Sequence, residues 1–186
     1  MDQGAREQRT EGGAPFAYTI RERRLLPDEA RMLSSAIRET PNILGYLPRE
    51  LLAFSSCLVA ESTGDGVFAG ACLTKHLGRN WCEISLVLVL AGHRRKGVGS
   101  ALFRAAFEGL REQNRQILCV SREASILRLM EAGGMRFLPE WQLPLPVRIA
   151  QARHYSSLYR FREGLRKIPM YRDQPPFRYA VYRSSQ

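Results

Sequence analysis

The segment Glu83–Arg111, EISLVLVLAGHRRKGVGSALFRAAFEGLR, leaves this chain few ways to fold. Its first part alternates. Ile84, Leu86, Leu88 and Leu90 interleave with Glu83, Ser85, Val87 and Val89, which is the period of a strand and puts the second set on one face. Its last part has helical period, with Val98, Leu102, Ala105 and Ala106 on one side and Arg104, Glu108, Arg111 and Glu112 on the other. Between them lies Arg94-Arg95-Lys96-Gly97-Val98-Gly99. Two glycines let the backbone turn tightly and approach a ligand without a Cβ in the way. The first amides of a helix have no partner inside it, and the helix dipole makes that end positive. With three basic residues added, the junction is a socket for phosphate or pyrophosphate.

Two nucleotide-binding signatures do not fit this segment. A dinucleotide fingerprint needs a third glycine where Leu102 stands. A P-loop needs Gly-Lys-Ser/Thr after a longer loop. What remains is strand, then Arg-x-x-Gly-x-Gly, then amphipathic helix. That string resembles the acyl-CoA-binding signature of the GNAT superfamily of N-acetyltransferases, Arg/Gln-x-x-Gly-x-Gly/Ala, and the resemblance spans about Phe16 to Leu138. It implies an α/β, GNAT-like fold: a central, mostly antiparallel sheet with a splayed parallel pair in the middle, flanked by helices. It implies acetyl-CoA as co-substrate. Arg94, Arg95, Lys96, Gly97, Val98, Gly99 and Ser100 would then hold the pyrophosphate, and Leu88 and Val89 the pantetheine arm.

A length of 186 residues suits one domain, large enough to bury roughly two thirds of its unfolded surface. There is no apolar run of about 18 residues, so neither a transmembrane helix nor a membrane partner is expected. The N-terminal stretch has no apolar segment of a secretory signal, and a cytoplasmic location is the expectation. Cys57, Cys72, Cys82 and Cys119 show no CxxC spacing, and the three histidines are dispersed. Buried, reduced thiols and no metal site are expected. The net charge of +10 would attract either nucleic acid or an anionic cofactor. The arginines are scattered from Arg6 to Arg183 rather than clustered with aromatics, which disfavours nucleic acid.

Along the chain, residues 1–14 are polar and glycine-rich and read as a disordered tail ahead of a single domain over 15–186. Residues 16–21 alternate as a first strand. Pro27-Asp28-Glu29 starts a helix, and Pro48 to Phe54 is a second short one. Strands over 57–61 and 67–75 flank the hairpin turn Thr63-Gly-Asp-Gly66, with Gly70 marking a bulge. Trp81 opens the central strand. Ile117 to Val120 is wholly apolar, as in an interior strand, and the helix before it makes a βαβ crossover, so the strands on either side should be parallel. Ser125 to Glu131 is a helix ended by Gly133-Gly134, and 135–138 a further strand. In the following stretch, Val147, Ala150, His154, Leu158, Phe161 and Leu165 follow helical spacing, so one long amphipathic helix is expected inside an insertion at about 140–176. The insertion either caps the acceptor side or forms the contact of a homodimer. Residues 177–182 read as the last strand, pairing antiparallel near Phe137.

Acetyl transfer to an amine requires a polarised thioester, a deprotonated amine and a stabilised thiolate. Glu83 is the candidate general base. On a straight strand it lies about 20 Å from Val89, so a bulge or a water chain is needed. By resemblance, protein-lysine acetyltransferases carry a glutamate at this offset. The family's tyrosine acid maps to Met130, and an asparagine often found near that helix start is replaced by Glu123. This leaves the acid unassigned, with Tyr155 and Tyr159 as other donors. Ser121 either contacts the cofactor arm or caps a helix. His93, His76 and His154 are assigned no chemistry. The acceptor is a small-molecule or protein amine. The alternative reading is a GNAT-like module that binds acyl-CoA without turnover.

Overall fold

The computed structural model describes residues 17–54, 57–78, 80–155, 157–172 and 174–184. The tail expected at 1–14 lies outside them. Seven strands among the described residues form one sheet: β1 (Tyr18–Arg23), β2 (Cys57–Ser62), β3 (Phe68–His76), β4 (Trp81–Val89), β5 (Gln116–Ser121), β6 (Arg136–Leu138) and β7 (Arg178–Tyr182). Their order is β1-β2-β3-β4-β5-β7-β6. Only the β4/β5 pair is parallel; every other pair is antiparallel. The last strand pairs with Phe137 opposite Ala180, as expected, but it also inserts beside β5.

Helices cover both faces. On one face, α1 (Pro27–Glu39) and α2 (Pro48–Leu52) pack over β2–β4. Both start by the same device: a proline in the first turn, and a glutamate whose carboxylate accepts the amide three residues back. Glu29 accepts from Leu26 at 2.7 Å and Glu50 from Leu47 at 2.8 Å. Ala30, Leu33 and Ile37 then recur at helical spacing and are fully buried. On the other face, α3 (Val98–Glu112) and α4 (Ala124–Ala132) bury Val98, Leu102, Phe103 and Met130 against Cys82, Ile84, Ile117 and Cys119. All four cysteines are buried and free.

Two irregularities shape the middle of the sheet. β4 pairs with β5 only from Trp81 to Ile84, so the strands part beyond that point. At the same place the β3/β4 register slips: Leu73 faces Leu86 while Thr74 faces Ile84, leaving Ser85 as a bulge. The slip reverses the faces. Cys82 and Ile84 pack with Val87 and Val89 under α3, whereas Leu86 and Leu88 pack under α1 and α2. The unbroken alternation expected from the sequence, with Glu83 on the face of Val87 and Val89, is therefore corrected; Glu83 turns to the opposite face. Nearby, Gly70 permits a close approach. A Cβ there would stand 2.3 Å from Leu88 O, and the bulged residue between β2 and β3 is Ala69, one place before it.

The single long helix expected after β6 is two helices, α5 (Leu145–Tyr155) and α6 (Leu158–Tyr171). Ser157 Oγ accepts the Arg160 amide at 3.2 Å and starts the second afresh, which spacing alone does not reveal. α5 puts Val147 against Leu118 and Val181. α6 turns charged residues inward. Lys167 is fully buried, and its Nζ donates to Ile37 O, Thr40 O and Ile43 O at 2.6–2.7 Å, satisfying carbonyls at the end of α1 with a cation where the dipole favours one.

Candidate active site

The gap left by the parting strands opens into a cleft of about 790 Å³, a volume suited to a small-molecule site. Its two ends are built differently.

At one end is the basic turn. Arg95 and Gly97 both take positive φ, 63° and 80°, which turns successive amides the same way. The first amide of α3 with an acceptor is that of Ala101, on Gly97 O at 3.0 Å. Ahead of it, the amides from Arg95 to Ser100 donate to no group among the described residues. They are the orphan donors of a helix start, an arrangement that can hold an anion. Gly99 lies against the strand, where a Cβ would meet Val89 Cγ2 at 3.5 Å. Arg94 Nε donates to Val89 O at 3.0 Å and braces the turn on the strand end. Among the residues that the sequence singled out here, Leu88, Val89, Arg94 and Arg95 line the cleft, as do Gly97, Val98, Gly99 and Ser100; Lys96 is exposed and does not. His93 is half-buried. Its Nδ1 lies 3.2 Å from Tyr18 Oη, so it pins the turn to β1.

At the other end is Glu83, 2% exposed. Gln151 Nε2 on α5 donates to its Oε1 at 3.3 Å. Its Oε2 and the Oγ of Ser85 are buried without a hydrogen-bond partner. Burial pushes the Glu83 carboxyl above its ordinary value, against the opposing pull of Gln151, Lys75 and the nearby Ser85 hydroxyl. Tyr46 and Tyr179 complete the wall, and burial raises both phenols, Tyr179 to about 12. Cys119 also lines the cleft, and its thiol is pushed well up by burial.

The cleft is bridged on the β5 side. Arg122, 7% exposed, donates from Nε to Asn42 Oδ1 at 3.1 Å and from Nη2 to Pro41 O at 2.8 Å. Its guanidinium stacks 4.5 Å from the Tyr171 ring and 4.2 Å from Phe177. Asn42 Nδ2 in turn donates to Glu123 Oε2 at 3.0 Å. Ser121 lines the cleft and also accepts the Glu123 amide at 3.1 Å, so it serves the turn before α4. Met130, at the family's tyrosine position, is fully buried in the core under α3 and offers no donor to the cleft. Tyr159 packs over Gly45 and does not line the cleft, while the side chains of Tyr155 and His154 lie outside the described residues.

Sequence reasoning missed Gln151, Arg122, Asn42, Tyr46 and Tyr179. Only Gln151 had a signal: it stands four residues after Val147, a neutral amide on the apolar side of its helix. Among the described residues no group of three or more His, Cys, Asp or Glu is placed to hold a metal, and no helix is long and apolar enough to cross a membrane.

Comparison with known proteins agrees with this fold. N-acetylglutamate synthase from Neisseria gonorrhoeae, complexed with coenzyme A and N-acetyl-glutamate, matches with a TM-score of 0.64 at 17% identity over 91% of this chain and 35% of that one. This chain therefore spans about a third of that protein. Rv2747 from Mycobacterium tuberculosis, in complex with CoA and NLQ, matches at 0.63 and 15% over 86% of this chain and 96% of that one. Ard1 from Thermoplasma volcanium matches at 0.53 and 26% over 66% and 85%. No curated protein matches the sequence. The model of the Acetyltransferase (GNAT) family matches residues 21–126, from β1 through the glycine-led turn into α4. This chain belongs to the GNAT family of acetyltransferases.

Proposed function

We propose that this protein moves an acetyl group from acetyl-CoA to a primary amine by direct attack within a ternary complex. The observation that carries the reading is the row of unpartnered amides from Arg95 to Ser100, opening into a cleft that ends at a buried carboxylate. Acetyl-CoA supplies an acyl group already activated as a thioester. The amides of residues 95–100 bind its diphosphate, and Arg95 adds positive potential at the mouth. Glu83 takes the proton from the acceptor ammonium. A carboxylate raised toward neutrality by burial is a better base at working pH than one at its ordinary value. Tyr46 and Tyr179 remain protonated and are the phenols the cleft offers to a departing thiolate. Direct attack is favoured over an acyl-enzyme, because the lining thiol of Cys119 is held protonated and is a poor nucleophile.

Thiol release from acetyl-CoA over a panel of primary amines, with the wild type and Glu83→Gln, tests this. Turnover with sequential kinetics, lost about 100-fold in Glu83→Gln at unchanged CoA affinity, is the expected result. Calorimetric CoA binding without turnover on any amine favours the non-catalytic module, a reading that the buried Met130 at the acid position also supports.

A further inference from the structure

The helix pair between β6 and β7 brings one polar group to the bottom of the cleft. Gln151 on α5 is 6% exposed, lies 68 residues from Glu83 in sequence, and has its side-chain amide on Glu83 Oε1. A glutamine costs free energy to bury unless it is hydrogen-bonded, and here its described partner is the carboxylate. It leaves the other oxygen, Oε2, buried and outside normal hydrogen-bond geometry, with the Ser85 hydroxyl near enough to favour the charged form, and Glu83, Ser85 and Gln151 all line the same cleft.

We infer that Gln151 is a positioning residue. Its amide fixes Glu83 by Oε1, so that Oε2 is the oxygen left to receive a proton from the acceptor. This inference rests on the reading of Glu83 as base. The geometry has a direction built in, since Gln151 donates and cannot take the proton that Glu83 accepts. The bulge at Ser85 turns Glu83 onto the face that α5 covers, so strand and insertion make one unit. A donor on the charged form also favours that form, so Gln151 limits how far burial raises Glu83. The other charged or titratable groups around this carboxylate are Lys75 from β3, Cys119 from β5, Tyr179 from β7, and Tyr46 from the α1–α2 connection, with Arg160 of α6 beyond Lys75 and Tyr46. Of these, Lys75 favours the charged form of Glu83, as do Gln151 and the Ser85 hydroxyl.

The test follows the Glu83 carboxyl carbon by ¹³C NMR titration of the full chain, its signal assigned by its loss in Glu83→Gln. Gln151→Met keeps the bulk of the side chain and removes the donor. It should raise the Glu83 midpoint by about one unit and move the acid limb of kcat/KM, measured with an amine active in the panel, upward by the same amount. Gln151→Glu serves as the second variant, and there the two carboxyls should titrate in two separated steps. An unmoved Glu83 titration in a folded Gln151→Met, or a single unsplit step in Gln151→Glu, would overturn the inference. If the titration moves but Glu83→Gln leaves the pH–rate profile intact, the base reading is what fails, and the catalytic role of Gln151 falls with it.

Discussion

The two ends of the cleft present polar groups to it by opposite means. The basic-turn end is one continuous piece of chain, from Val89 to Ser100, and what it presents to the cleft is backbone amides. The other end is drawn from the α1–α2 connection, β4, α5 and β7, and its working groups are side chains. Backbone donors tolerate most side chains and depend on a few φ angles. Side-chain donors depend on every element that holds them. Damage at the first end should therefore be local and chemical, whereas damage at the second should spread through stability.

The largest expected effect is at Gly97. Its φ of 80° is strained for any other L-residue, and in Gly97→Asp a carboxylate joins the amides meant for phosphate. CoA affinity by calorimetry should fall by about 100-fold or more, with little change in melting: the exposed turn relaxes out of the strained φ in the free variant, so restoring it on binding costs ~1–3 kcal/mol, and like-charge repulsion supplies the rest. Unchanged affinity would put the diphosphate elsewhere and erase the contrast between the two ends.

Next in size is Lys167→Met, which sharpens the comparison from the opposite side. It leaves three carbonyls near the end of α1 without their donor, so urea unfolding should show a loss of about 3 kcal/mol. CoA affinity should stay within about twofold. A variant that melts like the wild type would mean that α6 does not hold the α1–α2 connection in place.

A smaller effect concerns pH. Glu83 is raised above its ordinary 4.5 in the folded protein, chiefly by burial, so the folded state binds its proton more tightly than the unfolded state does. That stabilisation is complete below 4.5 and is lost as pH rises through the folded value. Glu83→Gln does not titrate, so it should melt a few degrees above the wild type at neutral pH, with the gap closing toward pH 4.5. A gap that is constant with pH would show that the carboxyl is not perturbed. The smallest effect is Gly99→Ala. Its Cβ would rest in ordinary contact with Val89 Cγ2, and CoA affinity should change by less than about twofold.

The basic-turn end was legible because it is local. Period-two apolar spacing, then Arg-x-x-Gly-x-Gly, then period-3.6 spacing named a strand, a turn and a helix within one segment, and the sheet's antiparallel run and its parallel pair followed. The expected single helix after β6 failed for an equally local reason. Apolar spacing runs on across Ser157, while the hydrogen bond from Arg160 N that starts α6 leaves no trace in that spacing.

By itself, the sequence determined the elements and the glycine-led turn, because dihedral preference and hydrophobic period act over a few neighbouring residues. Tertiary structure alone decided which face Glu83 occupies. A one-residue bulge at Ser85 reverses the strand's alternation, and the bulge arises from pairing with β3, which no short window of sequence contains. It also decided that Gln151 should meet that carboxylate, since the packing of α5 on β5 and β7 closes the long separation between them.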